Sequence, residues 1–173
     1  MHNFLKIYYF IDEFNKQEIQ KLNRNIVLIY RNYKENYNVK LIKKIRNFCI
    51  KQKRELYLSN NIKLALKLDL DGVYLPSFNK LCNYKNLHTK KKFKIIGSAH
   101  NLHEVKNKEN QGCSSIFISP IFKTKKSNYF LDIIKFNLIA KNTKKKIVAL
   151  GGINHSNYKK IKLTKSNGLS SIS

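Results

Sequence analysis

The sequence contains no run of about 18 or more apolar residues, and its first ten residues hold only a short apolar stretch before Asp12 and Glu13. Neither a membrane span nor a secretory leader is expected from this pattern. Cysteine is scarce: Cys49, Cys82 and Cys113 are odd in number, lie far apart, and form neither a CxxC pair nor a zinc spacing with histidine. A disulfide framework and a structural zinc are thereby disfavoured, and buried thiols in a reducing, cytoplasmic compartment are expected. Arginine is scarce too, at Arg24, Arg31, Arg46 and Arg54 only, although the formal net charge is +25. A dense basic surface attracts phosphate backbones. Yet the bidentate side chain suited to that task is rare here, and the lysines are spread along the chain rather than gathered into one arm. The abundance of Lys, Asn, Ile and Tyr is the drift that an AT-rich coding sequence produces, so nucleic-acid binding is the weakest of the functional readings.

At 173 residues with 42% hydrophobic content, the chain can bury one sizeable core, which makes residues 1–173 a single domain by default. Short β-branched or aromatic runs alternate with longer amphipathic stretches, the pattern of repeated β-α units around a parallel sheet. The runs Lys6–Ile11, Ile26–Arg31, Glu55–Leu58, Gly72–Leu75, Phe93–Gly97, Ser114–Ser119, Lys146–Leu150 and Gly168–Ile172 predict eight strands, the number that closes a barrel. The clearest helix spans Val39–Lys51, with Val39, Ile42, Ile45, Cys49 and Ile50 on one face. Asn61–Leu68, Asn101–Gln111, Tyr129–Asn142 and Asn154–Thr164 predict further helices, several opened by an Asn at the N-cap. The fold class is therefore α/β: a compact (β/α)8 TIM barrel without its last helix. The seam so exposed is either covered by a partner subunit in a homo-oligomer or left weakly protected.

In a parallel barrel the functional loops leave the C-terminal ends of the strands. Gly151-Gly152 follows a buried strand and precedes a helix start, so it is either a tight turn or a place where backbone amides approach a phosphate. The segment Ser119–Ser127 is too long for a minimal turn. It offers the Thr124 hydroxyl and the Lys123, Lys125 and Lys126 ammonium groups, either to a phosphate or simply to solvent. Arg31 and Lys34 end the second strand and could clamp a diphosphate. His100, after Ser98 in the fifth, reads more readily as a hydrogen-bonded structural residue than as a catalyst.

Taken together and in this order, these segments resemble the thiamine phosphate synthase and TenI family. Asp71-Gly72-Val73-Tyr74-Leu75 is similar to that family's DGVHL strand, and Ile95–His100 to its IIGxSxH stretch with one residue fewer. Gly112–Thr124 is similar to GADYIxxGPIFPT, Ile147–Ile153 to VVAIGGI, and Gly168–Ser173 to a shortened GVAVVSA. The resemblance implies transfer of a hydroxymethylpyrimidine group from its diphosphate to a thiazole phosphate, with release of pyrophosphate. It further implies that Arg31, Lys34 and Ser98 hold the diphosphate, that Thr124, Lys125, Lys126, Gly151, Gly152, Ile172 and Ser173 hold the thiazole phosphate, and that magnesium is the cofactor. The family's two metal-binding Asp positions correspond to Asn60 and Asn79, whose neutral amides would bind magnesium far more weakly than carboxylates. Pro120 stands where TenI tautomerases carry His, which sides the chain with the synthases. The reading that remains beside an active transferase is a non-catalytic or regulatory barrel that binds phosphorylated small molecules.

Overall fold

A computed structural model describes residues 6–33, 37–82, 84, 92–125 and 128–172, with the backbone alone for 171 and 172. Strands β1 (Lys6–Ile11), β2 (Val27–Tyr30), β3 (Leu56–Ser59), β4 (Gly72–Leu75), β5 (Lys94–Ala99), β6 (Ser115–Ile118), β7 (Lys146–Leu150) and β8 (Gly168–Ile172) each pair in parallel with the next. β8 returns to β1, with Lys6 opposite Gly168 and Phe10 opposite Ile172, and the sheet is a closed barrel.

Period-two alternation divides each strand between two cores. Inward-facing Tyr8, Phe10, Ile29, Tyr57, Tyr74, Phe117 and Val148 fill the barrel, and aromatic edges meet faces there: Tyr8 and Phe117 centroids lie 4.8 Å apart and Phe10 and Tyr74 5.0 Å apart. Outward-facing Leu28, Leu56, Val73, Ile116 and Ile147 pack against the surrounding helices. Those helices are α1 (Lys16–Lys21), α2 (Val39–Lys51), α3 (Ile62–Lys67), α4 (Leu102–Asn110), α5 (Asp132–Lys141) and a 3-10 helix, Tyr158–Leu163. Asn15, Asn38, Asn61 and Asn101 cap α1 to α4, each accepting from the amide three residues on. No helix among the described residues is long and apolar enough to cross a membrane.

Several expectations need correction. α1 carries only Ile19 as a buried residue, too little periodicity to be recognised in sequence. In α2 the buried face is Ile42, Ile45, Phe48 and Cys49, whereas Val39 and Ile50 at the two ends are exposed. The stretch predicted as a helix over Asn154–Thr164 begins with a turn and becomes 3-10 only at Tyr158. Asn154 fails as a helix cap because its carboxamide oxygen accepts from the Ser156 amide and hydroxyl, closing a local turn. Cys49 and Cys113 are buried, but Cys82 is exposed.

Six helical elements surround the eight strands among the described residues, and none follows β8. On the outer face of β1, Ile7 is 37% exposed, while Leu56 of β3 and Ile147 of β7 at the same height are covered.

Candidate functional site

At the C-terminal ends of the strands lies a cavity of about 480 Å³ whose walls come from β2, β4, β5, β6 and β7. Arg31 leaves the end of β2, where its amide donates to the Ile11 carbonyl (2.8 Å), and its guanidinium rests 4.8 Å from the centre of the Phe10 ring. That stacking fixes the plane of the guanidinium at the cavity wall without neutralising its charge. Tyr33, two residues on, shares a 2.7 Å hydrogen bond with the Ser59 hydroxyl, and its ring meets Phe78 edge-to-face at 5.6 Å. Burial pushes the Tyr33 hydroxyl above the ordinary phenol range. Tyr74 is wholly enclosed at the cavity base beside Ser98, and burial likewise pushes its hydroxyl up, with the bond to Ser98 opposing. Both phenols therefore stay neutral near pH 7 and act as hydrogen-bonding groups, not as bases.

The wall across the barrel from Arg31 is formed by the loop after β6 and the turn after β7. Leu150 and Gly151 accept from the amides of Ile121 and Phe122 (3.0 and 3.1 Å), so the two loops run together like a short extra ladder. Gly151 and Gly152 both have left-handed backbones (φ +92° and +70°), and a Cβ on Gly152 would lie 2.4 Å from the Phe122 carbonyl oxygen. Glycine is thus required at 152 by close approach as well as by conformation. Thr124 and Gly151 face the cavity. Lys125 is exposed and stands off the wall. Because the α-helical turn expected after Gly-Gly is absent, the Asn154 amide is taken by the Asn157 side chain (2.9 Å), and no helix N-terminus points at this spot.

Asn60 and Asn79 are brought together at the ends of β3 and β4. Asn60 sits at φ +58°, and the Asn79 amide nitrogen donates to its side-chain oxygen at 2.7 Å. The Asn79 oxygen in turn accepts from the Leu81 amide at 3.0 Å and from Gln111 at 3.3 Å. Both carboxamide oxygens are therefore engaged by protein donors, and neither bears a charge. Among the described residues no group of three or more His, Cys, Asp and Glu could hold a metal ion. The donor set does not fit magnesium, which needs hard and preferably anionic oxygens.

Sequence reasoning missed what supports this loop. Lys108 of α4 is completely buried, and its ammonium donates to the carbonyls of Pro76 (2.7 Å) and Asn79 (2.9 Å) and to the Gln111 side chain (2.8 Å). A lysine among many solvated lysines gives no sign of this in sequence. Gln111 completes the clasp by donating to the Asn79 and Leu81 carbonyls. His100 is bonded at both ring nitrogens, Nδ1 to the Ser119 carbonyl (2.7 Å) and Nε2 to the Ser77 hydroxyl (3.1 Å), and so ties the β4 loop to the end of β6. Lys34, Lys126 and Ser173 lie outside the described residues, and of Ile172 only its backbone place at the end of β8 is described.

Comparison with known proteins gives a consistent picture. The family described as thiamine monophosphate synthase matches residues 17–173. A thiamine-phosphate synthase of Prochlorococcus marinus is 35% identical over 161 residues, covering 87% of this chain and 45% of that protein. Another, from Pelagibacter ubique, is 36% identical over 131 residues, covering 73% of this chain and 62% of that protein. This chain therefore spans about half to three-fifths of the length of these two relatives. In fold it is similar to the thiamine phosphate pyrophosphorylase from Pyrococcus furiosus, with a TM-score of 0.72 over 98% of this chain and 86% of that one at 20% identity.

Proposed function

Because the chain belongs to the thiamine monophosphate synthase family, we infer that its C-terminal mouth joins hydroxymethylpyrimidine diphosphate to thiazole phosphate. The observation that carries this reading is the make-up of the cavity wall, with Arg31 at the end of β2 facing Thr124 and Gly151 across the barrel, and Ser98 and aromatic rings lining the same space. In the proposed reaction the bond from the pyrimidine methylene to the diphosphate oxygen breaks, and both electrons leave with the diphosphate. The thiazole nitrogen lone pair then forms the new carbon–nitrogen bond. No protein nucleophile is required. What the chain must supply is charge for the departing diphosphate, from Arg31, and alignment of the second substrate through its phosphate, from Thr124 and the Gly151-Gly152 turn. The rings of Tyr33 and Phe78 supply π faces that favour the transient pyrimidine-methyl cation. No step runs through a protein-bound metal, since Asn60 and Asn79 offer it no anion.

The test is formation of thiamine phosphate and pyrophosphate in equal amounts from the two substrates, with and without magnesium. Arg31→Ala is expected to lower kcat/KM by about a hundredfold or more. The paired amides favour one other reading, a barrel that binds thiazole phosphate or thiamine phosphate without turnover. Folded protein that titrates with thiazole phosphate in a calorimeter but yields no product would establish that alternative, and absence of both signals would remove the two readings together.

A further inference from the structure

We propose that the opposite, N-terminal mouth of the barrel is a second anion site that takes a small phosphate oxyanion, orthophosphate or diphosphate. In such barrels alternate strands contribute four side chains to each layer. Here the odd strands give Tyr8, Tyr57, Ile96 and Val148 as one layer, all within the inner core. Two residues earlier along the same strands, the floor layer is Lys6, Glu55, Lys94 and Lys146. A position normally filled by bulky apolar side chains thus carries three ammonium groups and one carboxylate.

Glu55 cannot neutralise all three. Its carboxylate is held by the Tyr57 hydroxyl (2.9 Å) and by Lys6 (3.0 and 3.1 Å), and Lys94 approaches it only to 3.7 Å. Lys146 pairs with no carboxylate among the described residues. The layer between floor and core comes from the even strands and is small at three of its four places, Gly72, Ser115 and Gly168. A cavity of about 600 Å³, larger than the one at the upper mouth, opens at this end and is lined by Lys6, Lys94 and Lys146 together with Ser115, Ser166 and Asn167. Converging like charges with hydroxyl and amide donors around an open volume are the chemistry of an oxyanion site. A multivalent oxyanion would relieve the repulsion between Lys94 and Lys146 while Glu55 keeps Lys6 in place.

The site is tested by titrating the isotopically labelled full chain with orthophosphate and with diphosphate at constant ionic strength, following the amides of Ser114, Ser115 and Asn167. Saturable shifts there are expected, separate from any at Gly151 and Gly152. In Lys94→Met with Lys146→Met the floor affinity should weaken about tenfold or more. In Glu55→Gln it should tighten, a gain that misfolding cannot imitate. Linear shifts without saturation, floor affinity unchanged by the lysine substitutions, or weaker binding in Glu55→Gln would each overturn the proposal.

Discussion

At the scale of single residues the telling pair is Asn60 and Asn79. Two carboxylates at a separation of 2.7 Å would repel unless a cation or a proton lay between them, whereas two amides satisfy each other with one hydrogen bond. Restoring the charges is structurally feasible. Aspartate tolerates the left-handed backbone at position 60 (φ +58°), and at position 79 it keeps the oxygen that accepts from Leu81 and Gln111. Asn60→Asp with Asn79→Asp should therefore bind magnesium at least about tenfold more tightly than the native chain, by calorimetry, because anionic ligand count sets affinity for hard cations. By linkage its melting temperature should rise on adding magnesium at constant ionic strength, whereas that of the native chain should not move. A melting temperature equally indifferent to magnesium in both proteins would show that these side chains do not face a common ion. The buried Lys108 is the residue through which this loop is held. Its ammonium replaces water with three protein acceptors, and burial lowers its pKa from the usual lysine value.

At the scale of elements, the upper mouth depends on two loops pressed together. An added methyl at residue 152 would collide with the backbone oxygens of Phe122 and Lys123, at 2.4 and 2.5 Å, and those atoms cannot swing aside as a side chain could. Gly152→Ala should cost about 1–3 kcal/mol for the left-handed backbone alone, with the clash in addition. It should also weaken binding of thiazole phosphate, through displacement of the loop that carries Thr124. Native-like stability and affinity in that variant would mean that the two loops do not press together at this crossing. The elements themselves were largely legible in sequence, because a β-strand buried on both faces reads as an unbroken apolar run and an α2-like stripe repeats every three to four residues. Gly151-Gly152 was legible for the same kind of reason, since paired glycines after a strand announce close approach. The helix after them was not, because Asn154, read as a cap, closes a turn on Ser156 instead, and both outcomes suit an asparagine equally. Nor could Lys108 or the floor layer be read from the chain in order, since each joins residues far apart in sequence, and only the family resemblance linked Asn60 with Asn79.

At the scale of the whole molecule, 35 basic side chains face 10 acidic ones, so most ammonium groups have only solvent and one another as neighbours. Ion pairs such as Arg46–Asp69 and Lys106–Glu109 are exposed enough to add little. The dominant electrostatic term in folding is therefore self-repulsion of the compact state, which unfolding relieves by moving the charges apart. Its sign differs from that of a chain stabilised by surface salt bridges, and salt distinguishes the two. Raising sodium chloride from about 10 mM to about 150 mM shortens the screening length from about 30 Å to about 8 Å, which weakens repulsion between distant lysines more than attraction within contacting pairs. The melting temperature should rise by about 2–4 °C for each kcal/mol of repulsion removed. Phosphate at matched ionic strength should raise it further, because bound oxyanion adds to screening. A melting temperature that falls with sodium chloride would mean that the few ion pairs outweigh the excess positive charge, and would locate the stability of this barrel in its surface rather than in its two apolar cores.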